Sequence, residues 1–259
     1  MMPKLTITAS NRDRLQIKNC QRSEWFLKSL QWQTYTDFEL LIADGGSKNY
    51  EEIKKYFENY NGIIPMRIVQ LKIGKPFERA RLNNVGIRHA LGEYVMTTDV
   101  DMLYGNKFVE TVMNIINKKT SVLSRTMYLK SNWCKKIYNG EVDPYNDVNS
   151  IRKCRIKKRT TAGGSHTSHI SNWNKVHGYC EKYKGWGSED QDLMKRMKKA
   201  GIRTKWIGES RDDIMLFHQS HPKIDIKDDL RWQEKNKKFL NNITSYIANP
   251  DGFWGGIQD

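Results

Sequence analysis

The chain has 259 residues, 44 Lys+Arg against 29 Asp+Glu, a formal net charge of +15 and 11% aromatic residues. That aromatic content can bury enough surface to offset ordering entropy, which excludes a disordered chain. No stretch reaches the roughly 18 uncharged apolar residues of a membrane span, and the N-terminus lacks a signal-type apolar region.

Leu5–Ala9 reads as a short strand that ends in the polar turn S-N-R-D-R. Residues 23–33 place Phe26, Leu27 and Leu30 at helical spacing. A second strand is predicted over Phe38–Ala43, closed by D-G-G-S, then a helix over 49–60 and a strand over Arg67–Leu71. A helix over 77–91 leads into a strand over Tyr94–Thr98, which ends in D-V-D. Such alternation predicts an α/β fold with parallel strands joined by helical crossovers. Open sheets of that kind bind ligands at the carboxyl ends of their strands, where all three polar turns fall. Residues 130–160 carry little periodicity and are expected to form a mobile loop, with the basic run R-K-C-R-I-K-K-R at 152–159. Order is predicted to return with a strand near His166–Ile170 and a helix over Glu189–Ala200. Strands near 203–207 and 213–218 and a charged helix near 225–241 complete the pattern. The four cysteines are widely spaced and read as reduced thiols.

Three groups of residues carry chemistry. Asp99 and Asp101 stand at i and i+2 after a strand, so both can face one ligand, and carboxylate oxygens suit Mg²⁺ or Mn²⁺. In G-W-G-S-E-D-Q-D (185–192), Ser188 and Gln191 read as a capping box, and the acidic first turn favours the helix dipole. That reading leaves Gly185-Trp186-Gly187 unexplained: an aromatic between two flexible positions beside carboxylates suits a sugar ring. Met215-Leu216-Phe217-His218, with His221 three residues on, lacks zinc-type spacing; Asp101 would be the partner that completes a metal site.

Residues 77–103 resemble the nucleotide-sugar half of the β-1,4-galactosyltransferases, which are GT-A glycosyltransferases. The similarity continues through A-G-G-S (162–165), G-W-G-S-E-D-Q-D (185–192) and M-L-F-H (215–218). The opening, with S-N-R-D-R, Q-T-Y-T-D-F-E-L and A-D-G-G-S, is similar to inverting GT-A enzymes of the chondroitin-polymerase type. About residues 4–222 are covered. The resemblance implies a single GT-A domain whose Rossmann-like, mostly parallel sheet carries helices on both faces. Its nucleotide-binding half would be 1–103 and its donor-sugar and acceptor half 104–222, followed by a C-terminal helix and tail (223–259). By the same resemblance, Arg12 and Arg14 meet the nucleotide and diphosphate, Asp44 bonds uracil, and Phe77 and Arg79 line the uridine pocket. Asp99 lies near the ribose; Asp101, His218 and Met215 ligate Mn²⁺ (or Mg²⁺); Gly163 and Gly164 touch the donor sugar. Trp186 and Glu189 contact acceptor or donor sugar, and Asp190 is the general base.

The A-D-G-G-S turn lacks the second Asp of the common D-D-G-S form, and the anchor and disulfide cysteines of the Golgi enzymes are absent. A cytoplasmic enzyme is therefore expected, with peripheral contact to an anionic membrane as an alternative. The implied reaction moves a hexose, galactose or N-acetylgalactosamine, from a UDP-sugar donor to a hydroxyl of a glycan or glycolipid, with inversion. The charge keeps two other readings open: a transferase acting on DNA, and a nucleic-acid-binding protein using the basic, aromatic 133–159 region. A catalytically inactive lectin-like domain is the third, against which the intact carboxylate and histidine set argues.

Overall fold

Strands β1 (Leu5–Asn11) and β2 (Phe38–Asp44) are buried along their whole length, as near-continuous apolar and threonine runs require of strands covered on both sides. They belong to a computed structural model that describes residues 2–145, 164–208, 216–221, 226–242 and 244–256. Beside them run β3 (Met66–Gln70) and β4 (Tyr94–Asp99), and β3, β2, β1 and β4 are mutually parallel. The expected alternation holds: α1 (Gln21–Gln31), α2 (Tyr50–Glu58) and α3 (Arg79–Arg88) connect these strands.

The sheet then departs from the parallel pattern. Strand β8 (Ser165–His169) is antiparallel to both β4 and β6 (Thr120–Ser124), and β9 (Arg203–Ile207) closes the edge parallel to β6. The order is β3-β2-β1-β4-β8-β6-β9. A smaller sheet places β10 (Leu216–His218) between β5 (Met102–Tyr104) and β7 (Thr126–Tyr128).

Because strand side chains alternate, the large sheet feeds two cores. Ile7, Leu40, Ile42 and Met96 meet Phe26 and Leu30 of α1, Ile53 and Phe57 of α2, and Phe108 and Val112 of α4 (Phe108–Ile115). On the opposite side Val95 packs with Ala80 and Ile87 of α3, Trp173 and Val176 of α6 (Ile170–Val176), and Leu193 and Met197 of α7 (Glu189–Lys199).

The expected aperiodic loop over 130–160 is corrected in its first third. Ser131–Tyr138 forms helix α5, which buries Cys134 and Ile137 against Met127, Leu129 and Phe217. Two buried positions in two turns give too few repeats for periodicity to register. The part of that stretch beyond residue 145, including the basic run 152–159, lies outside the described residues. The predicted helix near 225–241 is α8 (Ile226–Leu240). Among the described residues no helix is long and apolar enough to cross a membrane, and Cys20, Cys134 and Cys180 are free thiols.

Candidate active site

Register brings the polar strand ends together: Ser10 pairs with Asp99 across β1 and β4, and Asn11 with Asp44 across β1 and β2. Asn11 Nδ2 donates to Asp44 Oδ2 (2.8 Å) and to Ser47 Oγ (3.1 Å), while its Oδ1 accepts from the backbone N–H of Arg14 and Leu15. Asp44 is fully buried. Its carboxylate also accepts from Gly46 N, Ser47 N, Ser47 Oγ and Gln70 Nε2 at 2.5–3.2 Å. The side chain that the resemblance assigns to uracil thus organises the turn after β2, with Ser47 giving it two bonds and Asn11, unassigned in the sequence, a third. Arg12 Nη1 donates to the Gly74 carbonyl (2.6 Å), and Phe77 packs half-buried against the cluster of Ala43, Ile73, Leu82 and Val85.

The centre of the site is Arg79. Backbone pairing of Glu78 with Gly185, and the bond from Gly185 N to the Phe77 carbonyl (2.9 Å), draw the start of α3 to the loop before α7. Arg79 then grips Asp99 through two bonds (Nε–Oδ1 2.8 Å, Nη2–Oδ2 3.1 Å). Its Nη1 donates to Glu189 Oε1 (2.8 Å) and Asp190 Oδ2 (2.9 Å). One guanidinium therefore joins the D-V-D and E-D motifs, three carboxylates around a single cation. Burial works against the charged Arg79, but these carboxylates outweigh it and raise its pKa well above the ordinary value. Burial pushes Asp190 up to about 7 despite the pull of Arg79, with repulsion from Glu189 and Asp99 adding to it. Asp99 is raised by burial as well, against the attraction of Arg79.

The loop ahead of α7 is held in a conformation that glycine makes accessible: φ is +61° at Gly185 and +103° at Gly187. A Cβ on Gly185 would stand 2.8 Å from Trp232 of α8. Asn236 of the same helix donates to the carbonyls of Lys184 and Trp186. Trp186 itself is 51% exposed, an open ring at the lip of the site. The expected capping box is corrected: Ser188 takes φ +76° and its side chain makes no cap bond. The next two residues, Glu189 and Asp190, pair with Arg79.

A few residues along, pairing of β5 with β10 sets His218 opposite Met102, and Gln219 N donates to the Asp101 carbonyl (3.0 Å). His218 Nε2 thereby lies 3.6 Å from Asp101 Oδ1, and His221 Nε2 lies 3.1 Å from Oδ2. One ligand atom from each of the three residues falls within 4.8 Å of the others. Asp101 Oδ1 and His218 Nδ1 are buried without a hydrogen-bond partner, so this donor set fits a divalent cation. Burial would raise Asp101, but the His221 bond and both imidazoles hold it below the usual carboxylate value; burial lowers His218. Arg14 Nη1 lies 2.6 Å from His221 Nδ1. As guanidinium only donates, His221 accepts there and carries its proton on Nε2, toward Asp101. Tyr128, in a stretch without sequence signal, packs against His218 with ring centroids 4.6 Å apart and the planes tilted by 36°.

Gly164 stands where any side chain would collide: a Cβ would lie 1.8 Å from Thr126 Oγ1, and the Gly164 carbonyl accepts from Thr98 Oγ1. Gly163 and Met215 lie outside the described residues.

A parallel sheet edge carrying a D-x-D pair, opposed by a histidine strand and an acidic helix start, defines the GT-A class of glycosyltransferases. The chain belongs to glycosyltransferase family 2, whose model matches residues 24–173, more than half of its length. A model described as the N-terminal domain of galactosyltransferase matches residues 147–219. Among curated proteins, Escherichia coli chondroitin synthase is 23% identical over 224 residues, covering 73% of this chain and 31% of that one. An uncharacterized glycosyltransferase of Rickettsia felis is 25% identical over 149 residues, 55% of this chain and 24% of the relative. The chain thus spans under a third of the curated relatives it matches. Solved structures with the same fold include a mannosyltransferase from Pyrobaculum calidifontis in complex with GDP-Man and Mn²⁺ (TM-score 0.62, 14% identical, covering 98% of this chain and 68% of that one). TarS 1-349 of S. aureus in complex with UDP has a TM-score of 0.56 at 16% identity (90% and 65% covered). The catalytic domain of Drosophila β1,4-galactosyltransferase 7 with xylobiose has a TM-score of 0.52 at 14% identity (94% and 83% covered).

Proposed function

We propose that this glycosyltransferase moves a hexose, galactose or N-acetylgalactosamine, from a UDP-sugar to a hydroxyl of a glycan, with inversion and in a metal-dependent manner. The observation that carries this reading is the convergence of Asp99, Glu189 and Asp190 on Arg79 beside the Asp101–His218–His221 cluster. A nucleotide-sugar donor is supported by S. aureus TarS, solved with UDP and with UDP-GlcNAc. A metal is supported by the Mn²⁺ complex of the mannosyltransferase.

Asp101 and His218 would hold the cation, with Met215 as the thioether donor, while His221, hydrogen-bonded between Arg14 and Asp101, would orient the Asp101 carboxylate. When bound, a divalent cation supplies charge neutralisation to the departing diphosphate. Arg12 and Arg14 stand at the same strand edge to meet donor phosphates. Asp99 and Glu189, fixed by Arg79, accept hydrogen bonds from donor hydroxyls. Trp186 offers an apolar face to the acceptor sugar. Asp190 takes the proton from the attacking hydroxyl; with its pKa raised to about 7 it matches proton transfer near neutrality. A single base opposite the leaving group means one displacement, hence inversion at the anomeric carbon.

The test is Asp190→Asn, assayed for transfer from a panel of UDP-sugars to a glycan panel and for donor binding. Transfer should fall by about 10²–10⁴-fold while donor binding persists. Near-normal turnover in the variant would overturn the assignment.

A further inference from the structure

Away from the carboxylate centre, the face formed by α1 and the segment after α5 holds a cavity of about 400 Å³. Such a volume is typical of small-molecule sites. Trp25, Lys28 and Trp32 line it from one face of α1, at helical spacings of three and four. Asp143 and Tyr145 line it from the other side. The three rings form a continuous row, Trp25 to Trp32 at 6.0 Å and Trp32 to Tyr145 at 5.2 Å between centroids. Trp25 and Trp32 rest partly on the cluster of Met127, Leu129, Cys134 and Phe217, which explains why they lie there. It does not explain Tyr145, 39% exposed at the end of the row; beside the rings, Lys28 Nζ lies over the Trp25 face, 4.3 Å from its centroid, and Asp143 Oδ1 accepts from Tyr145 N.

We propose that this groove is an oligosaccharide subsite that holds residues of an acceptor chain beyond the one that reacts. Sugar rings present apolar C–H faces that stack on aromatic rings, and hydroxyls that need charged or polar partners at the rim; Lys28 and Asp143 supply these. Buried contacts tie the wall of the groove to the catalytic edge. Gln219, next to His218, donates to the Arg22 carbonyl and accepts from Tyr138 Oη. Arg22 lies about 4.5 Å along the α1 axis from Trp25, and Trp25 about 10.5 Å from Trp32, at 1.5 Å per residue. Trp32 Nε1 in turn donates to the carbonyl of Tyr104, which ends the strand that begins beside Asp101. A glycan leaving the catalytic edge along α1 would meet the rings in sequence. The inference rests on the glycan-acceptor reading above.

Its test uses the full chain without donor and measures binding of di- and hexasaccharides from three series: unsulfated chondroitin, chito- and cello-oligosaccharides. At least one hexasaccharide should bind about tenfold more tightly than its disaccharide, and Tyr145→Ala and Lys28→Gln should each remove most of that advantage. Both changes are on exposed side chains, so metal-dependent UDP-sugar hydrolysis should be unchanged. No length advantage in any series, or an advantage that survives both substitutions, would overturn the subsite. Failure of the glycan-acceptor reading would show separately, as absence of transfer to any member of the panel by the unmodified enzyme.

Discussion

Replacing Arg79 by Gln removes the cation that, among the described residues, binds Asp99, Glu189 and Asp190 at 2.8–3.1 Å. An ion pair with charge centres about 4 Å apart interacts by about 4 kcal/mol at an effective dielectric constant of about 20. Breaking a buried pair costs about 3–5 kcal/mol net. Asp99 and Asp190 keep 27% and 19% of their side-chain surface exposed, so water screens part of this, and the low end of that range applies. At about 2–4 °C per kcal/mol for a domain near this size, the melting temperature should drop by about 6–12 °C. Asp190 gives a second, independent readout. Arg79 is the main influence opposing the burial that raises it to about 7. Without that cation the carboxyl protonates at still higher pH, so the acidic limb of kcat/KM should move upward by about one unit or more. Arg79→Lys, which keeps the charge but loses the two-point grip on Asp99, should restore part of the limb while leaving kcat low. Thermal melts and transfer rates from about pH 5 to about pH 9 would decide. A glutamine variant that melts within about 1 °C of the parent and keeps its acidic limb would refute the clamp.

Other outcomes follow from the same geometry. In the unmodified enzyme, activity should rise with pH through about 7, because a base works only when deprotonated; an acidic limb near 4 would remove Asp190 from that role. Asp101→Ala and His218→Ala should each weaken Mn²⁺ binding by at least about tenfold in a direct titration, and wild-type affinity in both would empty the proposed site. His166, buried in the central strand β8, is pushed from 6.5 down to about 3 by burial and then by Arg196. Its neutral form favours the folded state, so its contribution is complete above pH 6.5 and is lost as pH falls toward 3, at about 1.4 kcal/mol per unit. Asp190, whose pKa is raised, acts in the opposite sense, so the test is the difference between parent and His166→Gln. The variant should lose stability less steeply on acidification between about pH 6 and pH 4, and parallel curves would contradict the assignment.

Local pattern carries far in this chain. Four short apolar runs, three of them ending in polar turns, separated by helical repeats, mark the parallel half of the sheet, because alternation and turn chemistry are properties of neighbouring residues. The acidic pairs at 99–101 and 189–190 are legible for the same reason: their spacing and their position after a strand or at a helix start are visible in one dimension. The short α5, with two buried residues in two turns, leaves too faint a periodic trace. Ser188 looks like a helix cap by residue type, yet its backbone is left-handed and its side chain makes no cap bond, in a loop that pairs at Gly185 with Glu78, 107 residues away in sequence.

What the sequence by itself determined was the class of chemistry: a strand-edge D-x-D pair, an acidic helix start and a late histidine. Tertiary structure alone decided who faces whom. Arg79 reaches 20 residues forward to Asp99 and 111 forward to Asp190. His221 joins Asp101 only because β10 pairs with β5. The charge of +15 says nothing of this. Electrostatic work is done at separations of about 3–4 Å, where Coulomb energies rise steeply, and those separations exist only once strands and helices have packed.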